Sequence, residues 1–112
     1  MFFFQMYPKG HSDESKDYVS LFLNLCISGS LIVDYRFAIV DADGVRRHAK
    51  EDRREFHYYV NCSSNRDTLG FDKFVSRDFL LDPANRLLPD NKLTLYCEVR
   101  SYDTEDNFLL SN

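Results

Sequence analysis

Tyr18-Val19-Ser20-Leu21-Phe22-Leu23-Asn24-Leu25-Cys26-Ile27 is the stretch on which the fold turns. Successive side chains of a strand point to opposite sides of the sheet, so Val19, Leu21, Leu23, Leu25 and Ile27 share one face and Ser20, Phe22 and Asn24 the other. Period 2 sustained over this length marks a strand with one dry face and one partly wet face. The next segment repeats the pattern. From Ile32 to Val40, Val33, Tyr35, Phe37 and Ile39 alternate with Asp34 and Arg36, and Asp41-Ala42-Asp43-Gly44 follows as a hairpin turn.

Arg46 to Arg54 reads as a charged connection and Phe56 to Val60 as a third, aromatic strand. A polar loop is expected over Asn61 to Thr68, followed by a short strand from Gly70 to Val75. Asp78 to Leu81 has room for one helical turn before Pro83, which steers Asp82 out of the helical region. Pro89-Asp90-Asn91 is a turn, and Leu93, Leu95, Cys97 and Val99 alternate with Thr94, Tyr96 and Glu98 in a last strand. Short strands with one dry face each, separated by turn residues, predict an all-β antiparallel sandwich. Its core is expected to hold Leu21, Leu23, Leu25, Phe37, Ile39, Leu93, Leu95 and Val99.

Bulk properties narrow the function. A chain of 112 residues supports one domain, here residues 1–102, with 103–112 as a polar tail. Met1-Phe2-Phe3-Phe4 is apolar but lacks the basic flank, sustained apolar run and cleavage site of a signal peptide, and no stretch approaches a membrane span. The net charge of -4 gives no electrostatic reason to bind nucleic acid, since Glu51, Asp52 and Glu55 interrupt the basic pairs Arg46-Arg47 and Arg53-Arg54. Cys26, Cys62 and Cys97 are odd in number and far apart, which fits a reducing compartment, the nucleus or cytoplasm.

No catalytic constellation is expected, nor any metal or cofactor. His11, His48 and His57 fall in a loop, a charged connection and a strand with no shared motif. Asp41-Ala42-Asp43-Gly44 has its glycine too early for a calcium loop and no closing glutamate. Large side chains assigned to wet faces say more: Phe22, Tyr35, His57, Tyr59 and Phe71 are the material of a peptide-docking groove on a rigid sheet.

Pro8-Lys9-Gly10, Glu14 to Leu23, Tyr35 to Ile39 and above all the run Lys73 to Val99 resemble the MATH (meprin and TRAF homology) domain of the speckle-type POZ protein family, over about Met6 to Val99. The resemblance implies an eight-stranded antiparallel sandwich whose groove docks a Ser/Thr-rich degron in extended form, by strand addition plus side-chain pockets. In that family a BTB domain, not found in this chain, links the module to a cullin scaffold, so that substrates are brought to a ubiquitin ligase. The alternatives are a non-degradative scaffold like the TRAF C-terminal domains, or a degenerate copy that binds no degron.

Carried over by position, the peptide-binding residues are Phe22, Tyr35, His57, Tyr59, Leu69, Gly70, Phe71 and Asp72. Leu69 replaces a tryptophan, His57 a tyrosine and Asp72 a lysine, and Arg86 stands where the family has glycine. The family domain begins earlier than this chain, which implies that its first strands are missing here. An unpaired edge and poor solubility or dimerisation are the expected consequences.

Overall fold

Leu21 and Leu23 are fully buried, as are Phe37 and Ile39 on the neighbouring alternating segment. Two sheets form by pressing these faces together. In the computed structural model, which describes residues 2–26, 30–57 and 66–103, the strands are β1 (Phe2–Tyr7), β2 (Tyr18–Cys26), β3 (Ser30–Val40), β4 (Arg46–His57), β5 (Arg66–Ser76) and β6 (Thr94–Asp103). Sheet A has the order β1-β2-β5 and sheet B the order β4-β3-β6, and every pairing is antiparallel. The all-β sandwich expected from the sequence is the fold observed.

Phe37 sits at the centre of the interior. Its ring centroid lies 5.4 Å from Phe4, 6.0 Å from Tyr35, 6.0 Å from Phe71 and 6.2 Å from Phe74. Tilted and edge-to-face contacts at such distances add to the burial of the rings themselves. Val19, Leu25, Val33, Phe56, Leu69, Val75, Leu80 and Leu87 complete the buried cluster.

The sequence reading needs three corrections. Arg46 to Arg54 is not a connection but most of β4. Charge is compatible with a strand at a sheet edge when its side chains reach water or cross-strand partners. Here Arg36 and Asp34 of β3 pair with Glu51 and Arg53 of β4, and the inward Lys50 extends its ammonium to the Lys73 carbonyl at 2.8 Å. Second, β5 begins at Arg66, so residues 66–68 belong to a strand rather than to a loop. The rest of that expected loop, and the Tyr58 to Val60 part of the expected third strand, lie outside the described residues. Third, Leu95 and Val99 are only partly buried and pack at the margin of the core, because β6 pairs with β3 alone among the described strands; Leu93, also partly buried, precedes β6 rather than belonging to it.

Local chemistry sets the joints. Ser76 caps α1 (Arg77–Leu81) by accepting the Phe79 N–H at 3.1 Å, and the single expected helical turn before Pro83 is present. Asp41 closes the β3–β4 hairpin. Its buried carboxylate accepts the Asp43 and Val45 N–H groups, each at 2.9 Å, and Arg47 Nε at 2.7 Å, and these donors, Val45 first, hold its pKa below the ordinary value.

Arg86 adopts φ 54 and ψ 39, the left-handed region that favours glycine. Its guanidinium clasps the Asp43 carboxylate at 3.0 and 3.2 Å, but both groups are well exposed, so the pair contributes little.

Two outcomes follow. Leu23→Asp places a carboxylate where no water reaches and should cost more than about 4 kcal/mol, abolishing the cooperative melt. Arg86→Gly should raise the unfolding free energy by on the order of 1 kcal/mol in urea titrations, since relief at a left-handed position exceeds the loss of an exposed ion pair. A lower midpoint for the glycine variant would show that the clasp on Asp43 outweighs the backbone term.

Candidate functional site

β5 is the strand around which the site is built. It pairs with β2 on one side and with no other described strand on the other. The register with β2 shifts between Val19 and Leu21, where Asp72, Lys73 and Phe74 bulge. Just before the bulge, Gly70 has φ 150, and a Cβ there would stand 2.1 Å from the Leu21 carbonyl oxygen and 2.8 Å from Phe22 Cα. Only glycine lets β5 lie this close against β2.

On the interior side of β5, the half-buried Phe71 ring lies 5.7 Å from Tyr35. Tyr35 itself is 3% exposed, and its hydroxyl donates to Asp52 Oδ2 of β4 at 3.3 Å. Burial first, and then the Asp52 charge and this hydrogen bond, push the phenol pKa up to about 12, against a smaller lowering effect of Arg54 and of the Gly70 backbone. Lys50 carries its ammonium over the rings of Phe71 and Phe74, at 5.9 and 6.0 Å. His48 Nε2 lies 2.6 Å from the Phe74 carbonyl oxygen. Lys50 and His48 thus tie β4 to the bulge across the gap between the sheets.

The other side of sheet A carries a second aromatic group. Phe22 meets Tyr7 at 5.9 Å and His11 at 5.3 Å, and those two rings meet at 4.8 Å. Beneath them Ser20 is fully buried. Its hydroxyl accepts the His11 N–H at 3.0 Å and donates to the Asp72 carbonyl at 2.6 Å, with Asp72 Oδ1 at 3.2 Å. One hydroxyl therefore joins the turn after β1 to the bulge of β5.

The residues expected at the site divide between these two sides. Tyr35, Leu69 and Phe71 gather on the interior side, Phe22 and Asp72 lie on the outer side, and Gly70 separates them. Tyr35 and Phe71 are not on wet faces, since Tyr35 has the parity of Val33 and Phe37, and Phe71 stands opposite the buried Leu21. Leu69, 1% exposed, is a core residue. His57 lies in β4 opposite Ser30, while its side chain and the whole of Tyr59 fall outside the described residues. Sequence reading missed Ser20, Lys50, Asp52 and His48. Lys50 and Asp52 alternate with Glu51 and Arg53, and that alternation was the available signal; nothing in the sequence marks Ser20.

A depression of about 440 Å³ on the outer face of sheet B is lined by Asp34, Arg36, Glu51, Arg53, Glu98 and Arg100 among others. Each of these arginines is bonded to a carboxylate, and Asp34 and Glu98 are held below the ordinary carboxylate pKa by those arginines. It is a solvated lattice of ion pairs with no converging chemistry. Among the described residues no group of His, Cys, Asp and Glu could hold a metal ion, and burial pushes the Cys97 thiol up to about 11. A comparison with protein-family models finds a match over residues 2–99, to the family described as MATH domain.

Tyr35 supplies a test of the interior geometry. Its folded pKa of about 12 exceeds the ordinary 10.0, so the unfolded state loses the phenolic proton first. The stabilisation is complete below pH 10 and is lost as the pH climbs towards 12. In urea titrations the wild type should therefore lose stability across that window more steeply than Tyr35→Phe. Equal slopes would mean that the phenol is not buried beside Asp52.

Proposed function

The chain belongs to the MATH domain family, a family of protein-interaction modules, and from that premise we propose that it is a substrate-recognition module resembling those of cullin-type ubiquitin ligase adaptors. The observation that carries this reading is the edge of β5 that no other described strand pairs with, flanked by Phe22 on one side and by Tyr35 and Phe71 on the other. An extended peptide laid along such an edge gains backbone hydrogen bonds, and its alternate side chains face the two aromatic groups.

The occupant is a Ser/Thr-rich segment of a protein substrate. Short hydroxylated side chains suit a site whose polar groups are the β5 backbone, Asp52 and Asp72, whereas an acidic or phosphorylated residue beside Asp72 meets repulsion. Gly70, Phe71 and Phe22 contact the peptide in this reading, and Tyr35 and Leu69 support Phe71 and the strand from beneath; His57 and Tyr59 are assigned to the same peptide site by the family resemblance alone. Delivery to a cullin scaffold would run through a BTB domain, and the nucleus or cytoplasm is where such an adaptor would work.

The test is a fluorescence titration of a Ser/Thr-rich peptide against the wild type and four variants. Phe22→Ala and Phe71→Ala each remove an anchor and should weaken binding at least tenfold, since aromatic anchors cost about 2 kcal/mol when truncated. Asp72→Lys should strengthen binding of a phosphorylated version of the peptide severalfold, and less so at high salt. Leu69→Trp adds ring area at the cost of overpacking a core position, so it should lower the melting temperature even if affinity rises. Absence of binding to every variant would overturn the reading.

A further inference from the structure

Lys50, Asp52 and Arg54 form the inward row of β4, opposite the buried Phe37, Tyr35 and Val33 of β3. The β3–β4 register is regular through all three, so their side chains share the face that looks towards sheet A. A charge on such a face needs a partner or water. Lys50 donates to the Lys73 carbonyl at 2.8 Å, and Asp52 accepts the Tyr35 hydroxyl at 3.3 Å and the Arg53 N–H at 2.8 Å. Arg54 is different. It is exposed, its guanidinium lies 5.8 Å from the centre of the Phe56 ring, and it belongs to no ion pair among the described residues.

β5 leaves this cation uncovered. The Phe71 ring packs on Tyr35 and Phe37 of β3 and receives Lys50 from β4, so β5 stacks over β3 and the near margin of β4. A strand added to the outer edge of β5 steps sideways by about 5 Å and lies above β4, and its inward side chains repeat every ~7 Å, as do Asp52 and Arg54. Direction fixes which residues meet. His48 bonds the Phe74 carbonyl, and Asp52 bonds the Tyr35 that packs on Phe71, so β4 and β5 run oppositely and Arg54 falls level with Leu69. At the bulge the Phe74 and Lys73 carbonyls already accept from His48 and Lys50. Pairing is thereby directed to the stretch from Arg66 to Phe71, the part of β5 that Arg54 overlooks.

We propose that Arg54 is a specificity-determining residue of the peptide site, selecting a segment that carries one anionic side chain, a carboxylate or a phosphoserine, at the inward position level with Leu69. The inference rests on the reading of the β5 edge as a peptide site. A guanidinium presents paired donors in a plane, which suits both anions, and a strand laid over it removes part of the water that weakens exposed ion pairs. Asp72 sharpens the choice. It lies on the outer side of β5, so an anion moved by one residue along the peptide turns away from Arg54 and towards the side that carries a carboxylate. Attraction at one parity and repulsion at the other fix the register of a serine- and threonine-rich segment that has little else to fix it.

A neutral Ser/Thr-rich heptapeptide, and two sets in which one Asp or one phosphoserine occupies each position in turn, are titrated against the 112-residue chain at about 0.15 M salt. In the wild type an anion at one position should tighten binding about fivefold over the neutral peptide, with no gain at either adjacent position. The ratio of anionic to neutral affinity at that position should fall to about one in Arg54→Ala, and Arg54→Glu should prefer a Lys there instead. Both variants should keep the wild-type melting temperature, since the side chain is exposed. A gain with Asp assigns the position to a carboxylate, and a gain with phosphoserine alone assigns it to a modified substrate. A neutral peptide that binds with no positional gain, or a gain that survives Arg54→Ala, overturns the role of Arg54 and leaves the peptide site standing. Absence of binding by every peptide overturns both.

Discussion

Phe37 is the side chain on which both sheets converge. It comes from the central strand of sheet B and touches rings from β1 and from β5, at the two edges of sheet A. A ring held edge-on by several others has little room to move, and neighbours placed against it are fixed in turn. Phe71 and Tyr35 owe their positions to this packing. The interior half of the candidate groove is thus an extension of the hydrophobic core, while the outer half rests on a polar contact, the Ser20 hydroxyl between His11 and Asp72.

Two kinds of constraint keep β5 at a fixed distance from β2. Gly70 permits close approach because it has no Cβ to strike Leu21, and Ser20 holds the carbonyl of Asp72 where the bulge begins. A fully buried hydroxyl with both donor and acceptor roles satisfied stabilises modestly, whereas the same group left unpaired would cost more than the bond contributes. Asp72 is thereby coupled to the turn that follows β1. Charge at the groove and geometry of the strand are not independent in this chain.

The flanks of the sandwich divide the labour. Between β4 and β5, cationic and imidazole side chains span the gap, and polar groups there can coexist with water and with a peptide. Between β1 and β6 the interior side chains are apolar and half exposed, with Phe4 the clearest case.

How much of this was legible in the sequence differs by residue. The alternation of Val19, Leu21, Leu23 and Leu25 determined a strand and its dry face, and the same held for Val33 to Ile39, because side-chain parity in a strand is a local property. Arg86 could be marked as a left-handed position from its place in the family pattern, and its φ of 54 agrees. β4 could not be seen, since its charges resemble those of a loop until β3 supplies partners for Glu51 and Arg53. The wet-face assignment of Tyr35 and Phe71 failed for a related reason. Parity says which residues share a side of a strand, but only the second sheet decides whether that side is covered, and only a bulge such as the one at Asp72 decides where parity is reset. Sequence by itself determined the strands, the fold class and the aromatic stock of the site. The tertiary structure decided which strands pair, which rings meet, and that Ser20 and Lys50 hold the site together, because those outcomes depend on contacts between residues far apart in the chain.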